Sequence, residues 1–413
     1  MKIIKYISVI CAMVALSVSS VMAQDAFSPY SRFGYGTMRD NATSSQRSMG
    51  GVGYAMQSGR QINVMNPASY AAIDSLTFLF DMGVSMSYQS ASDTGNKTSD
   101  FGGGLDYITL QFPIMKNLGA SIGLLPVTST GYAFGDEINN GAASYQGSGG
   151  INLIYAGVGY RPFKGFSIGA NVGYMFGNIT NSNYVYTTTG AVSLFQREMQ
   201  VRDYSLQFGV QYALPLNRRD RLTFGVSYTP GKDLHGKTFG IKYDQNDATV
   251  PDTTQTIHLG GNYSMPDTWG AGVNLNLRNR WMVEADFTYQ PWKNAKYTTL
   301  EGFEGTRFDN RWKVAAGVQY TPNPRGSWIQ RVNYRFGAYY DRDYVMVGDN
   351  HIRKEGVTLG LGLPAPGSKT VVNLTLEYYR RQATPNPLVK ENYFNLTLGV
   401  NFNELWFWQS KIR

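Results

Sequence analysis

Trp281-Met282-Val283-Glu284-Ala285-Asp286-Phe287-Thr288-Tyr289 decides how this chain folds. Successive side chains of an extended backbone point to opposite faces, so Trp281, Val283, Ala285, Phe287 and Tyr289 share one face and Met282, Glu284, Asp286 and Thr288 the other. The apolar face begins and ends in aromatic rings, as a strand does when its ends meet the two interfaces of a bilayer. The opposite face carries two carboxylates and must look onto water or a polar interior.

The same pattern repeats down the chain. Leu76, Phe78, Phe80, Met82, Val84, Met86 and Tyr88 lie opposite Asp81, Ser85 and Ser87; Tyr204, Leu206, Phe208, Val210 and Tyr212 lie opposite Ser205, Gln207, Gly209 and Gln211; Trp312, Val314, Ala316, Val318 and Tyr320 face away from Arg311, Lys313 and Gln319. The final repeat, Phe394 to Phe402, ends in an aromatic residue. Short turns rich in Pro, Gly, Asn and Arg alternate with long polar stretches at about 90–104, 129–149, 177–203, 230–262, 291–309, 341–355 and 380–391, which read as loops. About fourteen strands result, with short connections at one end and long ones at the other, the layout of a transmembrane β-barrel. Backbone groups inside lipid must all be paired, and closure removes the sheet edges. The expected fold is therefore an all-β, 14-stranded antiparallel transmembrane β-barrel.

Composition agrees with this. The mean hydropathy of −0.29 is mildly hydrophilic, because alternation hides the lipid-facing half of each strand from any average. No stretch approaches the roughly 18 uninterrupted apolar residues of a membrane-spanning helix. Lys2 and Lys5, the apolar run from Ile7 to Leu16 and Val21-Met22-Ala23 form a secretory signal, with cleavage expected after Ala23. Cys11 is the only cysteine and leaves with it, so disulfides, thiolate metal sites and cysteine nucleophiles are excluded from the mature chain. The formal net charge of +8 falls to +6 without Lys2 and Lys5, and an exported chain with no nucleic-acid motif has no use for it on RNA or DNA. Phosphates of outer-membrane lipid and lipopolysaccharide are the expected counterpart.

Residues 24–75 do not alternate. Gly34-Tyr35-Gly36, Gly50-Gly51-Val52-Gly53 and Asn66-Pro67-Ala68-Ser69 read as compact irregular structure, and none of the glycine clusters leads into a phosphate-binding loop. A fourteen-stranded barrel leaves a lumen that its own side chains do not fill, and this segment is placed to occupy it as a plug. The expected organisation is a signal peptide over 1–23, a plug over 24–75, a barrel over 76–402 and a periplasmic tail over 403–413. In that tail Trp406, Phe407 and Trp408 suit the interface, with Lys411 and Arg413 beside phosphates.

The Gly-rich N-terminal stretch, the triplet Asn66-Pro67-Ala68 shortly before the first strand, and the strand count together resemble the FadL/TodX (OMPP1) family of outer-membrane transporters for hydrophobic compounds. Ser28-Pro29-Tyr30-Ser31-Arg32-Phe33-Gly34 and the tail ending in Trp408 resemble its Bacteroidota branch. The resemblance implies diffusive uptake of hydrophobic small molecules such as long-chain fatty acids, with release through the barrel wall and no energy source. Candidate pocket residues are Tyr30, Phe33, Tyr35, Met49, Val52, Tyr54 and Met56, since soft and aromatic side chains near glycines can line an apolar cavity. Asn66, Pro67 and Ala68 are the plug motif, fixing the exit into the first strand. The branch also contains a shuttle protein of type IX secretion, so a barrel that partners a secretion-system protein is the alternative, and a general porin a third reading. The barrel-assembly machinery is an expected partner in biogenesis.

No enzyme is expected. His235, His258 and His351 lie far apart in polar stretches, no nucleophile motif accompanies them, and Asp244-Gln245-Asn246-Asp247 lacks the spaced ligands of a calcium loop. No cofactor or metal is called for.

Overall fold

A computed structural model describes residues 28–405, apart from 94, 140, 189, 245–251, 301 and 304. The expected signal peptide, the tail from Trp406 onward and most of the Asp244–Asp247 run lie outside the described residues. Fourteen antiparallel strands close on themselves: β1 Thr77–Ser92, β2 Lys97–Met115, β3 Leu118–Pro126, β4 Asn152–Phe163, β5 Phe166–Thr187, β6 Val192–Pro215, β7 Arg221–Thr229, β8 Thr268–Leu277, β9 Trp281–Gln290, β10 Arg311–Tyr320, β11 Asn333–Val347, β12 Asn350–Pro364, β13 Val371–Thr384 and β14 Lys390–Leu405. Closure is complete, because β1 pairs with β14 from Thr77 opposite Leu405 to Ser92 opposite Lys390. Among the described residues no helix is long and apolar enough to cross a membrane, and the crossing elements are strands.

The faces fall as the alternation requires. In β9, Trp281, Val283, Ala285 and Phe287 are exposed on the outer surface, while Met282, Glu284 and Asp286 are buried inside. Exposed rings form two girdles, with Tyr160, Phe163, Tyr212 and Trp281 at the short-turn end and Tyr174, Tyr204, Trp269 and Phe394 at the other.

Several expected loops are strand instead. Residues 90–104 and 177–203 belong to the hairpins β1–β2 and β5–β6, residues 129–149 form a hairpin of Thr128–Ile138 with Gly141–Gly149, and residues 230–262 contain the paired strands Gly236–Asp244 and Asp252–His258. These arms rise beyond the girdles, where the outer face no longer meets lipid and the inner face buries polar side chains such as Asn181, Asn183 and Arg197 beside Ile179, Met199 and Val201, so the apolar alternation that marks the wall is lost. Two ends also move: β1 starts at Thr77, because Leu76 holds φ +59, and β14 runs past Phe402 to Leu405.

Residues 28–76 lie inside the barrel with little regular structure, a 3-10 turn Pro29–Arg32, a two-residue strand Thr37–Met38, a helical turn Ser44–Arg47 and a second 3-10 turn Pro67–Ala72. Inward-facing wall residues hold this segment. Asp286 Oδ2 accepts the Gly53 and Tyr54 N–H groups at 2.6 and 3.0 Å, and Glu284 Oε1 accepts that of Ala55 at 2.9 Å. Glycines on several strands let the backbones touch: a Cβ at Gly225 would stand 1.9 Å from the Tyr54 carbonyl oxygen, and one at Gly337 2.1 Å from the Gly50 nitrogen.

Candidate functional site: an interior chamber beside a gap in the wall

The wall is interrupted once among its described pairings. β2 pairs with β3 from Met115 opposite Leu118 to Ile108 opposite Leu124, and above Ile108 it pairs only with β1. The chain that should continue alongside it, Thr128–Ile138, bends away after Pro126 and takes a different neighbour. Thr37 stands opposite Ser129 and Met38 opposite Thr128, the Arg39 N–H donates to the Val127 carbonyl at 2.9 Å, and the Ser28 N–H to the Gly131 carbonyl at 2.7 Å. The N-terminal segment thus satisfies the edge that β2 gave up.

The bend has local causes. Pro126 cannot donate a ladder hydrogen bond. Across from it, Gly149 holds φ +107 and a Cβ at Gly150 would meet the Thr128 carbonyl oxygen at 2.3 Å, so the returning arm needs glycine there. On β2 the register slips between Gly83 and Val84, leaving Asp106 and Tyr107 both buried on the inner side. The bulged Asp106 accepts from Arg39 Nη2 at 2.9 Å and Ser85 Oγ at 3.0 Å, with Arg47 Nη1 at 3.2 Å. It fastens the N-terminal segment beside the gap.

The level of the gap follows from its rings. Phe101 on β2 packs on Tyr88 with centroids 4.9 Å apart, Tyr88 stands opposite Phe394, and these belong to the long-loop girdle. The edge formed by Gly102, Gly103, Gly104 and Leu105 therefore lies just inside that girdle. A cavity of about 70 Å³ lined by Arg39, Ser87, Gly103, Ser129 and Arg381 sits behind it.

A larger chamber of about 160 Å³ lies across the strand Thr37–Met38, with Met38 and Arg39 in its lining. Its lining combines apolar side chains, Met38, Met65, Val127, Leu153, Met175 and Trp292, with charged ones, Asp40, Asp286, Arg311 and Lys313. Lys313 Nζ stands 2.6 Å and Arg311 Nη2 3.6 Å from Asp40. Burial pushes the Asp40 carboxyl up, but Lys313, Arg311 and Lys354 outweigh it and hold the group well below the usual carboxylate range. Such a chamber suits a molecule with an apolar body and one polar end.

Toward the long loops the chamber is roofed by packed rings. Trp292 lies against Tyr344 with centroids 4.3 Å apart and Tyr297 against Phe308 at 5.1 Å. The Tyr35 N–H donates to Tyr344 Oη at 2.9 Å, and the Tyr344 hydroxyl donates to the Gly36 carbonyl at 2.7 Å. Toward the short turns the floor is Asn66 to Ala72. Asn66 Oδ1 accepts the Ala68 N–H at 3.1 Å, and its amide donates to the Tyr54 carbonyl at 2.8 Å and to the Val210 and Val226 carbonyls at 3.2 Å.

The seven residues proposed from sequence do not form one pocket. Tyr54 lines the chamber. Met49, Val52 and Met56 pack with Met282, Ala315 and Tyr339, Tyr35 and Phe33 belong to the roof, and Tyr30 packs on Ile352 and Ala383 with its hydroxyl donating to the Val389 carbonyl at 2.6 Å. Sequence reasoning missed Met38, Arg39, Asp106 and Thr128, which make the partition and the gap. Pro126 with Gly149-Gly150, and the run Gly102-Gly103-Gly104, were the available signals.

No curated protein matches this chain. The Pseudomonas putida toluene transporter TodX is 15% identical, with 90% of this chain and 100% of that one covered at a TM-score of 0.64. A Pseudomonas aeruginosa FadL homologue is 12% identical, with 89% and 99% covered at 0.64, and the Ralstonia pickettii toluene transporter TbuX is 13% identical, with 88% and 98% covered at 0.59. At these identities the likeness concerns the fold, and it bears out the FadL/TodX resemblance at that level. A family model described as BamG matches residues 3–413. The chain belongs to the BamG family, on the barrel fold of TodX and the FadL homologue.

Proposed function

We propose that this protein is an outer-membrane channel that takes up a hydrophobic or amphipathic compound into the chamber and releases it sideways through the gap between β2 and Thr128–Ile138. The observation that carries the reading is the gap itself. It lies just inside the long-loop girdle, the level of the outer leaflet when short turns face the periplasm. Packed rings stand above the chamber and Asn66 to Ala72 below it, so this reading takes the exit sideways, into acyl chains that accept an apolar solute. TodX and TbuX, toluene transporters on the same barrel fold, support the substrate class. Thr37–Met38 acts as the partition between chamber and gap, and residues 28–76 act as the plug.

The test is uptake into liposomes of labelled toluene and a labelled fatty acid against a small sugar. Ser87→Cys on β1 with Ser129→Cys, both lining the cavity behind the gap, allows a short bismaleimide to bridge that cavity and block the path through it. Hydrophobic uptake that the crosslink abolishes is the expected result; sugar passage without hydrophobic uptake means a porin.

A second reading has its own observation, the match of nearly the whole chain to a family whose name points to the barrel-assembly machinery. On that reading the sealed lumen is permanent and the barrel is an assembly partner. Uptake no faster than in empty liposomes, with lost assembly of other barrels on deletion, selects it.

A further inference from the structure

The short-turn end carries a charge that neither reading uses. The turns between strands at that end hold many cations and one acid, Asp220. The cations are unevenly spread. Arg218 and Arg219 lie between β6 and β7, Arg278 and Arg280 between β8 and β9, and all four are exposed; the turn after β10 adds Arg325 and Arg331, whereas the turns after β2, β4 and β12 hold one lysine each, Lys116, Lys164 and Lys369. Among the described residues none of these four guanidinium groups has an ion-pair partner.

The patch is ordered. Asp220 joins the two turns, accepting the Arg278 N–H at 2.7 Å, while Asn217 Oδ1 accepts the N–H of Arg219 at 2.8 Å. Arg278 holds φ +51, where glycine or asparagine would be less strained, so a cation occupies the place against its backbone preference. Two further cations turn inward at the same mouth. Arg221 Nη2 donates to the Gln57 carbonyl at 3.3 Å, and Arg161 Nε to Ser167 Oγ at 3.3 Å, with Ser167 fully buried on the inner face. Lipid phosphates reach only the outside of the wall, so inward-turned arginines continuous with the patch point to something below the lumen. Residues 406–413 contain Lys411 and Arg413 and no acid, so they are not its complement.

We propose that the arc formed by Arg218, Arg219, Arg278 and Arg280, continued inward by Arg161 and Arg221, is a docking surface for an acidic segment of a periplasmic protein. The proposal rests on the outer-membrane orientation above but not on transport. Opposed charge there raises the encounter rate and fixes where the partner sits.

The probe is a fluorescein-labelled polyglutamate peptide titrated by anisotropy against the mature chain in nanodiscs of zwitterionic lipid. Saturable one-to-one binding is expected, weakening steeply with salt. R218E/R219E/R278E/R280E should weaken it about tenfold or more, and K116E/K369E less than about twofold, both variants keeping the gel mobility of the folded barrel and unaltered uptake. No saturable binding, or equal losses in the two variants, overturns the proposal. So does an anionic phospholipid that co-purifies with the parent chain and is lost in the quadruple variant, since the patch would then be a lipid site. Loss of uptake in the crosslinked gap variant leaves peptide binding intact, so the two readings fail separately.

Discussion

Between β9 and β10 the wall is paired without a break from Trp281 opposite Tyr320 to Gln290 opposite Arg311; between β2 and β3 it stops at Ile108 opposite Leu124. Both stretches stand between the same two girdles, where an unpaired backbone group has no water to turn to. The difference is who supplies the partner. β9 is satisfied by its neighbours in the sheet and uses its inward carboxylates to hold the N-terminal segment. Thr128–Ile138 has left its neighbour, and the N-terminal segment holds it. The same inner segment is thus cargo at one wall and a structural strand at the other, where the pairs of Thr37–Met38, a few flanking hydrogen bonds from Ser28, Ser31 and Arg39 and the buried Asp106 stand in for a full ladder, and this is where the proposed release would part the wall.

The comparison breaks first at the rigid side. Gly225→Val would drive its Cβ into the Tyr54–Ala55 backbone, a clash that no rotamer relieves. A loss of about 3 kcal/mol or more in thermal unfolding is expected, together with sugar leakage, while Gly95→Val, with open space around it, changes stability by less than about 0.5 kcal/mol. Next, Asp286→Ala strands the Gly53 and Tyr54 N–H groups inside the barrel and should cost about 2–5 kcal/mol. Equal stability of this variant and the parent would mean that the segment is not held from β9.

The gap side responds differently. Asp106→Ala releases Arg39 and Arg47 and should cost about 1–3 kcal/mol, felt locally. Hydrogen exchange at Met38 and Arg39 should accelerate while Gly53 and Tyr54 stay protected; uniform acceleration would show that the two sides are one cooperative unit. The smallest effect concerns acid. The folded Asp40 carboxyl is held low, so its contribution is fully present above the unfolded value of about 4 and is lost only as pH falls through the lower folded one. The stability difference between the parent and Asp40→Asn should therefore be constant near neutrality and shrink below about pH 4. A difference that grows on acidification would reverse the sign and remove the Lys313 and Arg311 pairing as its cause.

How legible these regions were follows from the range of their causes. Trp281 to Tyr289 announced its strand, its two faces and the polar job of Glu284 and Asp286, because lipid on one side acts on every second residue independently of the rest of the chain. The arms above the girdles read as loops in the sequence, since their buried inner faces mix Asn181, Asn183 and Arg197 with Ile179, Met199 and Val201 and their outer faces no longer meet lipid, which leaves no apolar period to detect. The pocket proposed from Tyr30, Phe33, Tyr35, Met49, Val52, Tyr54 and Met56 was scattered, because residue type shows that a side chain will be buried but not against what.

The amino-acid order alone settled the closed barrel, its strand faces and the irregular nature of the first described residues, all consequences of local alternation and of glycine and proline chemistry. Only the tertiary structure decided that Thr128–Ile138 pairs with Thr37–Met38 rather than with β2, that Asp106 is the bulged residue fastening them, and that the chamber brings apolar and charged side chains into one lining. Those features depend on which strand edge finds a partner among residues far apart in the chain, and that competition is resolved when the barrel closes around its N-terminal segment.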